Sequence, residues 1–294
     1  MSSETIELLN GDLRCLIAPA IGGSVVAFDW RAGDDWVPLM APTVVPLSGH
    51  AAAMANFPLV PFSNRVAGGR FTIDGVVHAM PINAPPVPHT LHGDGWQAAW
   101  RVVEQGPADI TLRHDCRAPD WPHVYEAWQS IALAPDRLDH RLEVINRGDR
   151  TMPFGLGLHP YFPRRPDTLL SAPVETMDLT DETLIPHDAV PVPEDVVFDR
   201  RRVADLVLDA GFQGFAGTAL IEQPALGYDL RLSASANCRH LVVYVPPGEA
   251  FFCVEPVTHR TDAFNAADPG LEGIAMLAPG EGMAMSLSLA LEPR

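Results

Sequence analysis

Met283-Ala284-Met285-Ser286-Leu287-Ser288-Leu289-Ala290-Leu291, near the end of the chain, alternates large apolar side chains with small ones. A repeat of two residues belongs to a strand, where successive side chains leave opposite faces. The stretch therefore reads as one strand with a large apolar face and a small-residue face. The same repeat recurs upstream. Leu138, Leu142 and Val144 alternate with Asp139, Arg141 and Glu143, and Tyr228, Leu230 and Leu232 alternate with Asp229 and Arg231. Leu241 to Val245 (LVVYV) and Phe251 to Glu255 (FFCVE) are dense in β-branched and aromatic residues and read as strands buried on both faces.

Turn signals separate these runs: Asn10-Gly11, Asp74-Gly75, Asn146-Arg147-Gly148 and Pro246-Pro247-Gly248. Asp74-Gly75 between RFTI and VVHAM predicts a hairpin. Helical pattern is scarce, the best candidate being a short one around Arg202 to Leu208. Many short strands with frequent turns predict an all-β sandwich or barrel. No linker-like tract or fixed-period repeat divides the chain, so a single domain over residues 1–294 is expected.

Composition narrows the partners. Hydrophobic residues make up 47% of the 294 positions and charged residues 19%, the balance of a globular chain. The formal net charge is −17, which repels phosphate backbones and anionic lipids. Nucleic acid and membrane surfaces are set aside, and a neutral small molecule is the expected partner. Cys15, Cys116, Cys238 and Cys253 show neither C-x-x-C nor zinc-ribbon spacing, which predicts reduced, buried thiols in a cytoplasmic protein. The N-terminus has no basic segment leading into an apolar one, and no apolar run approaches a membrane span.

Four segments concentrate polar groups: PFSNRVAGGRF (Asn64, Arg65), HTLHGDGW (His89, His92, Asp94), GLGLHPYF (His159, Tyr161) and FFCVEPVTHRTDAFN (Glu255, His259, Asp262, Asn265). Glu255 ends an apolar run, and Pro256 after it predicts that the strand stops there. A carboxylate in that setting loses solvation and its pKa rises, which suits a general base, although on this run alone a surface or salt-bridged glutamate is the plainer reading. His159 can titrate near neutrality or be a satisfied core histidine. His89, His92 and Asp94 could be three metal ligands, but the glycines between them make a loop without established metal spacing, and a ligand-contacting histidine or a plain loop fits better. Arg65 could hold a hydroxyl-rich ligand or pair with a buried carboxylate. No nucleophile elbow, P-loop or dinucleotide fingerprint is present.

Taken in order, GGSVVAF, NFPLVPFSNRVAGGRFTIDG, LHGDGWQAAW, LGLHPYF, LDAGFQGF and CVEPVTHRTDAFN resemble the aldose 1-epimerase (galactose mutarotase) family over most of the chain. The resemblance implies a large antiparallel β-supersandwich. It also implies interconversion of the α and β anomers of a free aldose without metal or other cofactor. Glu255 falls on the family's base and His159 on its acid; His92 assists and binds sugar, and Arg65 contacts sugar hydroxyls. Asp209, in the short motif LDAGFQGF, matches a substrate-binding aspartate, with Asn64 and Tyr161 shaping the pocket. Arg164-Arg165 after HPYF departs from the family pattern and reads as a surface pair or as a hint of an anionic sugar. The alternatives on the same fold are a hexose-6-phosphate 1-epimerase and a non-catalytic carbohydrate-binding module; a metal-dependent isomerase is more distant. Either a monomer or a homodimer is compatible with the sequence.

Overall fold

The computed structural model describes residues 5–41, 43, 47 and 49–294. Its largest element is a nine-stranded antiparallel sheet. In spatial order the strands are Arg101–Gln105, Asp109–Cys116, Tyr125–Leu133, Arg137–Asn146, Gly282–Pro293, Tyr228–Ala234, Thr218–Gln223, Leu169–Ser171 and Arg201–Arg202. The alternating C-terminal stretch is its centre: Leu289 pairs with Leu138 on one side and Leu232 on the other. Met285, Leu287 and Leu289 are buried, while Ser286 is exposed and Ser288 half-buried. Truncating Leu289 to alanine would cost about 2–5 kcal/mol, since the close-packed wall cannot collapse onto the void. The predicted outward face of Arg137–Asn146 is polar, with ion pairs Arg137–Asp139 and Arg141–Glu143 along it.

An eight-stranded sheet carries Pro186–Pro191, Thr176–Thr180, Leu208–Gln213, His240–Val245, Phe251–Val257, Gly157–Leu158 and Pro58–Leu59 in that order, with Tyr161–Pro163 also pairing Phe251–Val257. One face packs into the core shared with the nine-stranded sheet through Phe212, Leu241, Val243, Val245, Phe252 and Val254. By the same period of two, the opposite face presents Asp209, Val242, Tyr244, Cys253 and Glu255. Strand pairing brings these side by side: Asp209 opposes Tyr244, Val242 opposes Glu255, and Tyr161 opposes Cys253. A four-stranded sheet, Ile6–Asn10, Leu13–Ala18, Ser24–Ala32 and Asp35–Pro38, completes the large antiparallel architecture.

The Asp74-Gly75 hairpin is present, both turn residues at positive φ (50° and 76°) as a tight turn of this twist needs. All four cysteines are free and buried. None of the helices among the described residues is long and apolar enough to cross a membrane.

Two local expectations are corrected. The helix around Arg202 to Leu208 is a single 3₁₀ turn, Val203–Asp205. The Arg164 guanidinium donates to the Ala204 and Leu206 carbonyls, holding that segment against the Tyr161–Pro163 region. The strand at Glu255 does not end at Pro256 but runs Phe251–Val257. Its neighbour on one side is interrupted: Tyr161–Pro163 pairs residues 251–253 and Gly157 pairs Val257, leaving Val254, Glu255 and Pro256 without partners there. A proline is tolerated inside a sheet where one flank is unpaired, and His159-Pro160 lies in that interruption.

Candidate active site

The interruption is where the site forms. His159 enters it from the neighbouring strand, and its Nε2 lies 3.3 Å from Glu255 Oε1. The imidazole stacks on two rings, Phe57 at 4.6 Å and Tyr161 at 4.7 Å, which are themselves 6.2 Å apart. His159 Nδ1 is buried without a hydrogen-bond partner.

A cleft of about 170 Å³ opens over this pair, lined by Asn64, Arg65, Leu91, His92, His159, Asp209, Val242, Tyr244 and Glu255. Arg65 Nη1 donates to Asn64 Oδ1 at 2.8 Å, and its Nη2 is 3.7 Å from Asp209 Oδ2. Its Nε is buried and unpartnered. The backbone amide of Asn64 donates to His92 Nδ1 at 3.0 Å. That bond puts the remaining proton of neutral His92 on Nε2. His92 packs edge-on against His159, with ring centroids 5.5 Å apart.

Burial sets the proton affinities. It pushes the Glu255 carboxyl well above the ordinary carboxylate range; the Asp209 charge adds to this and Arg65 opposes it. Burial pushes His159 down to about 3. His92 falls well below the usual imidazole value, by burial first and then by the charges of His159 and Arg65. Asp209 is raised by burial, with Arg65 working against the rise. Burial thus favours the uncharged form of both Glu255 and His159 in the empty site, and near neutral pH His92 is a neutral donor.

Of the residues proposed from sequence, Glu255, His159, Arg65, His92, Asp209 and Asn64 converge on the cleft. Tyr161 does not line it; it supports the His159 ring from behind. Phe57, Leu91, Val242 and Tyr244 were not anticipated. Val242 and Tyr244 could have been found by applying the period of two to LVVYV, whereas Phe57 carries no polar signal at all.

The other polar residues of the four segments hold the frame. His259 accepts from the Ser63 amide through Nε2 and donates through Nδ1 to the Arg260 carbonyl. Asp262 accepts from the Ala67 amide and from Asn265, and its own amide donates to the Arg65 carbonyl, clamping the segment that carries Arg65. His89, His92 and Asp94 do not share a ligand: His89 accepts from Gly68, His92 faces the cleft, and Asp94 accepts from Tyr125 and His114. Among the described residues, two sets of side chains do bring N, O and S donors within 4.8 Å of one another, Asp94–His114–Cys116 and His159–Cys253–Glu255. Arg164 does not face an anion: it donates to the carbonyls of Ala204, Leu206 and Pro246.

The sequence profile of the aldose 1-epimerase family matches residues 4–290. The chain belongs to the aldose 1-epimerase family. Within it, the chain is 33% identical to the uncharacterized protein YphB of Escherichia coli K12, over 97% of this chain and 98% of that one. Galactose mutarotase of mouse is 29% identical over 65% of this chain and 59% of its own. A solved Escherichia coli K12 structure, provisionally named an aldose 1-epimerase, superposes with a TM-score of 0.90 at 32% identity, covering 99% of each chain. A galactose mutarotase-like protein of Clostridium acetobutylicum shares the fold at a TM-score of 0.88 and 19% identity, over 99% of this chain and 95% of that one.

Proposed function

We propose that this aldose 1-epimerase family member is a mutarotase for a neutral free aldose, with Glu255 and His159 as its proton-transfer pair and no metal or other cofactor. The observation that carries the reading is the 3.3 Å approach of His159 Nε2 to Glu255 Oε1 in the floor of the cleft.

Mutarotation opens the pyranose ring, turns the aldehyde about C1–C2, and closes it on the other face. Opening moves a proton off the C1 hydroxyl and another onto the ring oxygen. Glu255 as carboxylate takes the first; His159 as imidazolium gives the second. The C1–O5 bond breaks, its electron pair staying on O5, and the C1 oxygen becomes the aldehyde oxygen. Glu255 is then protonated and His159 neutral, the form burial favours, and both transfers run in reverse on closure. Raising the carboxyl and lowering the imidazole strengthens Glu255 as a base and His159 as an acid.

The rest of the cleft supports binding. Arg65 and Asp209 offer a donor edge beside an acceptor edge, which suits neighbouring hydroxyls, and His92 Nε2–H adds a neutral donor near the reacting end. The charge pattern favours a neutral sugar over a phosphorylated one. Arg65 is the one guanidinium among the lining residues, and Asp209 and Glu255 share that lining.

The direct test is polarimetry of freshly dissolved α-D-galactose and α-D-glucose at low buffer concentration, with and without protein. Faster decay to an unchanged final rotation is the expected result. No acceleration with these, pentoses or glucose 6-phosphate, in a protein that still binds sugar, would make it a binding module.

A further inference from the structure

Resting on the mutarotase reading, we propose that Asp94 is a positioning residue that acts through His92, pinning the loop that carries His92 to the nine-stranded sheet. His92 and Gly93 are successive residues in the left-handed region, at φ 59° and 71°. For a non-glycine such a conformation is strained and persists only where the surroundings impose it. Gly93 has no alternative, because a Cβ there would stand 2.1 Å from the Val60 carbonyl oxygen.

The restraints come from both sides. Toward the surface, Asn83 accepts from the Leu91 amide and donates to the carbonyls of Leu91 and Gly93, each at 2.8 Å. Trp96 Nε1 donates to the same two carbonyls at 3.1 Å. Toward the core there is Asp94. Its Oδ1 accepts from the Tyr125 hydroxyl at 2.5 Å and its Oδ2 from His114 Nε2 at 3.1 Å. Tyr125 and His114 stand on adjacent strands, Tyr125–Leu133 and Asp109–Cys116, and Tyr125 is buried. Asp94 therefore links two strands of one sheet to a histidine in the cleft over the other.

The chemistry of the pin favours a carboxylate. Both partners donate, and an ionised carboxylate is acceptor on both oxygens. An amide would present an N–H to one of the two donors. Cys116 Sγ lies within ligand range of Asp94 and His114, so a zinc ion is the rival occupant that the test separates.

The test uses the full chain with Asp94→Asn and Tyr125→Phe, each alone and combined with His92→Ala. It reads kcat and KM by polarimetry, Tm, and the imidazole ¹⁵N shifts of His92. In the parent protein those shifts should show the Nε2–H tautomer. Each single variant should average them and raise KM about tenfold, the worth of one well-placed hydrogen bond, with a smaller change in kcat. In the His92→Ala background neither should raise KM further, because the residue they act through is gone. Additive losses in that background, or His92 shifts unchanged in both variants, would overturn the proposal. So would stoichiometric zinc in the parent that Asp94→Asn loses, since Asp94 would then be a metal ligand. The nitrogen shifts need no turnover, so they decide the inference even if every sugar fails in the polarimeter.

Discussion

His159 Nε2 and Glu255 Oε1 lie 3.3 Å apart because the strand beside Phe251–Val257 is broken where the two meet. Gly157–Leu158 and Tyr161–Pro163 pair on either side of the break, and Glu255 has no partner strand there. An interruption that would be a defect in a plain sheet leaves room for two buried titratable groups to face one cleft.

Replacing either member removes one proton transfer. Glu255→Gln keeps the shape, His159→Asn keeps a polar group that cannot titrate, and each should lower kcat by roughly 10²–10⁴. Polarimetric kcat, with Tm as the control for folding, checks this. Full activity in either variant would remove that residue from the mechanism.

The pH profile follows from the same pair. The working form holds one proton between the two residues. A second proton at low pH must go onto His159, which burial has pushed down to about 3. Loss of the last proton at high pH is delayed, because burial raises Glu255 well above the carboxylate range. kcat/KM should therefore have its acid limb well below 6.5 and its alkaline limb well above the usual glutamate value. An acid limb centred near 6.5, the value of a solvated imidazole, would contradict the buried histidine.

The strands were legible wherever one face met the core, since Met285, Leu287 and Leu289 had to recur at every second position. Glu255 and His159 were legible as polar groups set in apolar runs. What stayed hidden depends on strand pairing. Nothing local tells that Pro256 faces an unpaired flank, or that the Arg164 guanidinium reaches three backbone carbonyls far away in sequence. Phe57 escaped because an aromatic residue in an apolar motif looks the same whether it fills the core or holds a catalytic ring.

The stacking of Phe57 on His159 gives a separate prediction. Phe57→Leu keeps apolar volume but removes one of the two planes that fix the imidazole. Misaligning a proton donor affects the transition state more than sugar binding, so kcat should fall by about tenfold or more with KM little changed. Steady-state kinetics over a range of galactose concentrations separates the two parameters. A change confined to KM would mean that Phe57 serves the sugar, and not the histidine.

Arg65 and Asp209 should behave in the opposite way. They stand 3.7 Å apart at the cleft edge, with Arg65 Nε unpartnered. Arg65→Lys loses the planar fork and Asp209→Asn loses a charged acceptor. Each should raise KM about tenfold, with kcat within a few-fold of the parent, if the contact is equal in ground and transition states. A loss confined to kcat would place either residue in the proton-transfer steps.

Stability should depend on pH through a histidine that takes no part in the chemistry. His140 is buried, its ring bonded to Gln129 Oε1 at 2.8 Å and to Asn56 Nδ2 at 3.2 Å, and burial pushes it down to about 3. In the unfolded chain it titrates near 6.5. Between those values the unfolded state binds the extra proton, so this contribution is complete above 6.5 and is lost as pH falls toward 3. From pH 6.5 to pH 5 the loss should be about 2 kcal/mol, one and a half pH units at the usual worth of a unit. Urea unfolding at pH 7 and pH 5 should show the parent losing about that much more stability than His140→Gln, which keeps a polar side chain but cannot titrate. Equal losses in the two proteins would mean that His140 is protonated in the fold, and that Gln129 Oε1 accepts from an imidazolium.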